Sequence, residues 1–350
     1  MKKLIFLLWL GFTCFSAPAQ NNAAAETLVR EGIDLHDKGD YEGALRKYDA
    51  AIKLDNGNFD AWYEKGYTLY AMDRKKEVVS LSKDMVKQFK GHPGMNQVFM
   101  QYGSALDDIG KSKDALDIYD EGIALFPQDY LLYFNKGLTM LKLNQVDEGR
   151  LLFEKALSIR PLHSSSNYYL GLILQDNNKI PAIMAFATFL GVEPQTSRSK
   201  DGWARVQKLI GGNVKTEGNN TTITLDPSML SDNKKTAEND FRSVEVMFTL
   251  TSALDNNKSV DSVFTTAADK LSLKLQMMIN SMSTQKEKAK GFYWTHYVPF
   301  FEALKEDAQI GTLVHLMMMQ AKDEDNKKWL EDHEEDVNKF YDWLKAYKWK

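Results

Sequence analysis

The sequence predicts an all-α protein: a superhelix of about five helix-turn-helix repeats with a capping helix, then a small helical C-terminal domain with a β-hairpin. Three observations carry this. Residues 96–103 and 130–137 each open an amphipathic stretch and place glycine eighth, and the copies stay in step for 34 residues. Leu106 and Met140 fall at position 11, Ala115 and Gly149 at 20, Tyr119 and Phe153 at 24, Gly122 and Ala156 at 27, Pro127 and Pro161 at 32. Beyond Gly212 apolar residues step by three and four without the longer period, so helices continue after the repeat has stopped. The composition, 43% hydrophobic and 26% charged with a formal net charge of -4, is that of an ordinary globular chain, and no clustered basic face marks a nucleic-acid partner.

The chain opens with Lys2 and Lys3, an apolar run over residues 4–10, and Ser16-Ala17-Pro18-Ala19, which reads as a signal peptide over 1–19 cleaved after Ala19. The mature protein is then exported, either periplasmic or secreted. A lipoprotein reading would use Cys14, for which Gly11-Phe12-Thr13 is a poor lead-in. Cys14 is the only cysteine, so the mature chain has no disulfide, no thiolate nucleophile and no zinc-cysteine site. No later stretch reaches 18 consecutive apolar residues, the length of a membrane span.

Two helices approach closely where one offers a small residue and its partner a large one, and a proline near position 32 turns the chain into the next unit. On this register a first domain spans 20–211, with repeats near 25–58, 59–92, 96–129, 130–163 and 164–195 and a capping helix at 196–210. The packing positions are Gly32, Ala44, Gly66, Gly103, Ala115, Gly137, Ala156 and Gly171. The second half of repeat 2 is degenerate, with Val78, Ser82 and Met85 at the packing positions, and about three extra residues lie in 90–94. Trp203, Val206, Leu209 and Ile210 give the capping helix one apolar side.

The second domain spans 212–350. Residues 214–216 and 221–225 read as the hairpin. Phe264, Ala268, Leu271, Leu275 and Met278 form one helical stripe, Ile310, Leu313, Val314, Met317 and Ala321 a second, and Leu330, Val337, Phe340, Leu344 and Tyr347 a third. Pro299 is expected as the first residue of a helix carrying Phe300, Phe301 and Leu304.

The period, with its Gly, Ala, aromatic and Pro positions, resembles the tetratricopeptide repeat (TPR) family. The resemblance implies a non-catalytic protein-protein interaction scaffold whose first helices line a concave groove. Positions 2, 5, 9, 12 and 13 would face it, which gives Tyr63, Tyr67 and Tyr70, Met100 and Asp107, Leu131, Phe134 and Leu138, and Tyr168, Leu172 and Gln175. Chaperone-tail clamps of the family use Lys, Arg and Asn there, and Glu64, Gln101 and Asn135 do not reproduce them. The implied partner is a protein or peptide segment of the cell envelope, apolar in character, since aromatic rings bury large area with few rotors. A competing expectation is that the C-terminal region fills the groove.

No phosphate-cradling, nucleophile-elbow, dinucleotide or zinc-helix motif is present, so no catalytic residue, cofactor or metal is expected. The runner-up reading makes the C-terminal domain an enzyme using Tyr293, His296 and Glu302. His296 in an open pocket beside a carboxylate would favour it, and His296 packed under aromatics would not. His333-Glu334-Glu335-Asp336 reads as solvated surface, and Met317-Met318-Met319 with Met277, Met278 and Met282 as core filling.

Overall fold

Helical hairpins fill residues 17–192 of the structure, a computed structural model that describes residues 17–211, 214–217, 220–224, 238–251, 262–287 and 289–349. The leader read over 1–19 thus lies outside the described residues up to residue 16. Seventeen α-helices and one two-stranded hairpin are present among the described residues. Contacts divide the chain into two compact units, 1–143 and 144–350.

The first unit holds α1 (Ala17–Asp37), α2 (Tyr41–Leu54), α3 (Phe59–Ala71), α4 (Lys75–Gln88), α5 (Met95–Asp108), α6 (Ser112–Leu125) and α7 (Tyr130–Lys142). Asp40, Asn58 and Asp129 start α2, α3 and α7 by accepting backbone N–H bonds from Gly43, Ala61 and Leu131. A Cβ on Gly32 would come within 2.5 Å of the Tyr48 ring, and one on Gly103 within 2.5 Å of the Tyr119 ring. Ala44 and Ala115 are fully buried, and Gly66 and Gly137 are buried on α3 and α7. The degenerate half of repeat 2 still forms α4, with Val78, Ser82 and Met85 buried. The insertion at 90–94 folds back onto α3, where His92 stacks on Phe59 at 3.9 Å.

The second unit holds α8 (Val146–Ile159), α9 (Ser164–Leu174), α10 (Lys179–Val192), α11 (Ser197–Gly211), β1 (Val214–Glu217), β2 (Asn220–Ile223), α12 (Arg242–Leu250), α13 (Ala267–Ser283), α14 (Phe292–Glu306), α15 (Ile310–Met317), a 3₁₀ turn (Met318–Gln320), α16 (Glu324–Asp332) and α17 (Glu334–Ala346). The hairpin pairs Val214 with Ile223 and Glu217 with Asn220, antiparallel. Its centre is α10, whose residues 179–191 are all buried. Gly171 of α9 and Gly202 of α11 admit Phe186 and Phe189, and Gly191 of α10 admits Leu313 of α15. Helices α12, α14 and α15 cover the rest of α10, so the contact boundary falls inside the repeat array instead of at residue 212.

Three local expectations are corrected. Pro299 lies inside α14, which starts seven residues earlier at Phe292. Gly291 opens that helix at φ 110°, where a Cβ would strike the Asn239 amide, and Asn239 Oδ1 accepts from Tyr293 N–H at 2.9 Å. The Leu330 to Tyr347 stripe is divided between α16 and α17 at His333, whose ring stacks on Trp329 at 4.4 Å. Phe264 precedes α13, which begins with a Thr266–Asp269 capping box, and Ala321 follows the 3₁₀ turn. Of the methionines, Met278, Met282, Met317 and Met318 are core, and Met277 is exposed.

Substituting Gly103→Leu forces a side chain into the Tyr119 ring and should lower stability by about 1–3 kcal/mol or more. Gly311→Ala, where nothing lies within 4 Å of the new Cβ, should stay within about 1 kcal/mol of wild type. Urea unfolding midpoints of the two variants check the register. Burial also holds two histidines neutral: the His296 pKa is pushed down to about 3 by burial, and that of His163 to about 4 by burial with Arg198 and Arg160 nearby. Neutral imidazole is thus favoured by the fold, so this stability is full above the unfolded value of about 6.5 and is lost as pH falls through the folded values. His296→Phe should reduce the loss of stability between pH 6.5 and 4 by up to about 1.4 kcal/mol per pH unit; an unchanged slope in urea titrations would contradict it.

Candidate protein-binding groove

Within the first unit α1 touches α3, α3 touches α5 and α5 touches α7, whereas α2, α4 and α6 make no comparable contacts with one another. The row of first helices is therefore the tighter, inner side of the curve. Helix periodicity puts Tyr63, Tyr67 and Tyr70 of α3, Met100 of α5 and Leu131, Phe134 and Leu138 of α7 on that row. Tyr67 is 53% exposed, and the others are half-buried.

Polar groups hold the rings in place. Tyr70 donates to Asp108 at 2.5 Å while Lys75 sits 3.2 Å from the centre of its ring, and the phenol pKa is raised by burial and by Asp108. Asp107, a predicted lining residue, is engaged by Lys142 at 3.3 Å and by the Ser112 hydroxyl. The row is also acidic. Burial, with Asp60 and Asp37 adding repulsion, raises the Glu64 pKa, and burial raises that of Tyr63. At the floor Gln101 reaches back to Gly66, and its Oε1 is buried without a hydrogen-bond partner.

Sequence reasoning passed over His36. It occupies position 12 of the first repeat, its Nδ1 lies 2.8 Å from the Thr68 hydroxyl, and its ring meets Tyr67 at 5.2 Å. The same positional rule that selected the tyrosines would have found it.

In the second unit the corresponding positions are engaged by α11. Tyr168 donates to Asp201 at 2.7 Å, Arg205 bridges Asp201 and Gln175, and Arg198 lies 5.6 Å from the Tyr168 ring. Leu172 packs against the core of this unit. Ala156 and Gly171 are buried there, Gly171 under Phe186.

Tyr293, His296 and Glu302 go to separate partners. Tyr293 donates to Glu154 at 2.5 Å, Glu302 accepts from Ser283 and Lys286, and His296, 7% exposed, lies between Phe292 and Trp349 with a buried Nε2. That is the packed arrangement, not the open one. Among the described residues no group of three or more His, Cys, Asp or Glu side chains is placed to hold a metal, and no helix is long and apolar enough to cross a membrane.

Residues 32–73 match the family described as TPR repeat, and residues 101–164 that described as Tetratricopeptide repeat. Human tetratricopeptide repeat protein 7B is 32% identical over 97 residues, which are 27% of this chain and 12% of the human protein. An uncharacterized protein of Methanocaldococcus jannaschii is 34% identical over 58 residues, 17% of this chain and 67% of that one. The solved structure of Pseudomonas aeruginosa PilF is 19% identical, covering 54% of this chain and 86% of that chain, with a TM-score of 0.48. Paired helices with small residues at the crossing points, in register with both matched stretches, make this chain a member of the tetratricopeptide repeat family.

Proposed function

We propose that the protein is an exported, non-catalytic scaffold that holds a segment of a protein partner of the cell envelope on the inner face of its first unit. The observation that carries this reading is the tyrosine row of α3, with Tyr67 half in solvent while Tyr70 is fixed by Asp108 and Lys75. Rigid aromatic rings bury large area at low entropic cost, and a partner segment with apolar side chains uses that area best. Carboxylates at Glu64, Asp60 and Asp37 beside the rings, with no ion-pair partner among the described residues, add a preference for a segment that also carries lysine or arginine. Export is supported by the lysine-led apolar leader at residues 2–10 and the Ala17-Pro18-Ala19 cleavage pattern.

A photo-crosslinking residue at position 67 should capture a discrete envelope protein. Tyr67→Glu or Phe134→Glu should abolish its co-purification with helix content and melting nearly intact. Leu125→Glu, a 60% exposed position on second helix α6, should leave it unchanged. Equal loss with all three variants would contradict the proposal, and a large melting drop with Tyr67→Glu would instead mean that the face is occupied from within.

A further inference from the structure

A cavity lies in the second unit between α8, the turn joining α9 to α10, and the start of α14. Its volume is about 610 Å³, within the range of about 300–1,000 Å³ typical of small-molecule sites. One face of α8 supplies a wall, because Val146, Arg150 and Glu154 recur every four residues with Asp147 and Leu151 beside them. Asn177 and Asn178 come from the turn, and Phe292 and Tyr293 from α14.

The fold leaves hydrogen-bonding capacity unspent on these walls. Glu154 is only 8% exposed, and its two bonds, from the Tyr293 hydroxyl at 2.5 Å and from Arg150 Nη1 at 2.6 Å, both fall on Oε1. Oε2 has no hydrogen-bond partner among the described residues, an open acceptor on a buried side chain of the cavity wall. The Arg150 guanidinium in turn carries five N–H donors, more than Glu154 and Tyr293 engage. Asn178 stands at the N-cap of α10, yet its side chain caps nothing. Of Asn177 only the backbone N–H is bonded among the described residues, to the Leu174 carbonyl. Interspersed with these groups is apolar surface from Val146, Phe292 and Leu151, the last 55% exposed.

Both signs of charge are mismatched here. An anion brought to Arg150 meets Glu154 at 2.6 Å and Asp147 at 3.7 Å from the same guanidinium, and a cation brought to Glu154 meets that guanidinium. Neither recovers the cost of its own desolvation. A hydroxyl both donates and accepts, so it gives its proton to Oε2 and takes one from Arg150 or a carboxamide with no charge to desolvate. A lone alcohol satisfies one such group. Several hydroxyls fixed on a rigid ring satisfy many at little loss of freedom, and the C–H groups of the ring cover Leu151 and Phe292. We infer that this cavity binds a neutral sugar, a mono- or disaccharide, with hydroxyls on Glu154, Arg150, Asn177 and Asn178. The site shares no residue with the tyrosine row of the first unit, so either reading survives failure of the other.

Saturation-transfer NMR titration of the intact protein tests it with glucose, galactose, N-acetylglucosamine, maltose and cellobiose. Leucine, putrescine and cyclohexanol serve as zwitterionic, cationic and single-hydroxyl controls. At least one sugar should bind saturably in the millimolar range or tighter, with every control at least tenfold weaker than the tightest sugar. The Leu151→Ala/Asn177→Ala double variant, altered only at exposed positions, should keep its melting temperature and lose at least tenfold in affinity for that sugar. The inference is overturned if no sugar binds, if any control binds as tightly as the tightest sugar, or if the double variant retains wild-type affinity.

Discussion

The second unit depends on one constraint: α10 has no polar face. Residues 179–191 are buried without interruption, and such a helix is stable in water only when neighbours enclose it on every side. Repeat geometry supplies two of those neighbours, α9 and α11, through the notches at Gly171 and Gly202. The remaining cover comes from α12, α14 and α15. The C-terminal helices are therefore the missing walls of the last repeat, and Lys179 is carried into that core with its ammonium 5.9 Å from the Phe248 ring and its pKa pushed down by burial.

Two buried polar bonds fix how α14 lies on the repeats. Tyr293 reaches Glu154 of α8, itself paired with Arg150 at 2.6 Å, and Tyr297 reaches Asn167 of α9 at 2.6 Å. Asn167 also donates to the carbonyls of Pro161 and His163, so its amide nitrogen and its carbonyl oxygen are both engaged in setting that register. Satisfied networks of this kind specify one arrangement more than they add net stability. The aromatic segment 292–301, which from its composition alone could be read as reactive, is spent on this docking, and His296 is neutral because it is interior.

The legibility of the chain follows from what periodicity reports. A 34-residue recurrence of small and large residues encodes the crossing of two neighbouring helices, so Gly32 against Tyr48 and Gly103 against Tyr119 could be read directly. It carries no information about what covers a helix's outer face, and the boundary placed at residue 212 missed that α10 lacks one. The signal was available in the run from Ile180 to Leu190, which carries no charged residue and whose one polar side chain is Thr188. The tyrosine row was found by position, but Tyr168 has a different environment from Tyr67 because α11 brings Asp201, Arg198 and Arg205 to it. Pro299 was expected to start a helix and does not, whereas a helix boundary falls at His333, where the apolar stripe was expected to run on. Aromatic burial on both sides of Pro299 keeps α14 continuous, and stacking of His333 on Trp329 ends α16 where the apolar stripe alone runs on.

If α10 binds the last repeats to the C-terminal helices, residues 144–349 open as one body and the first unit opens by itself. Hydrogen exchange of the intact protein across a denaturant series measures this directly. The amides of α9, α10, α14 and α15 should share one opening free energy and one denaturant dependence, distinct from those of α3 to α6. Exchange of α9 and α10 together with α3 to α6, while α14 and α15 open separately, would contradict the account.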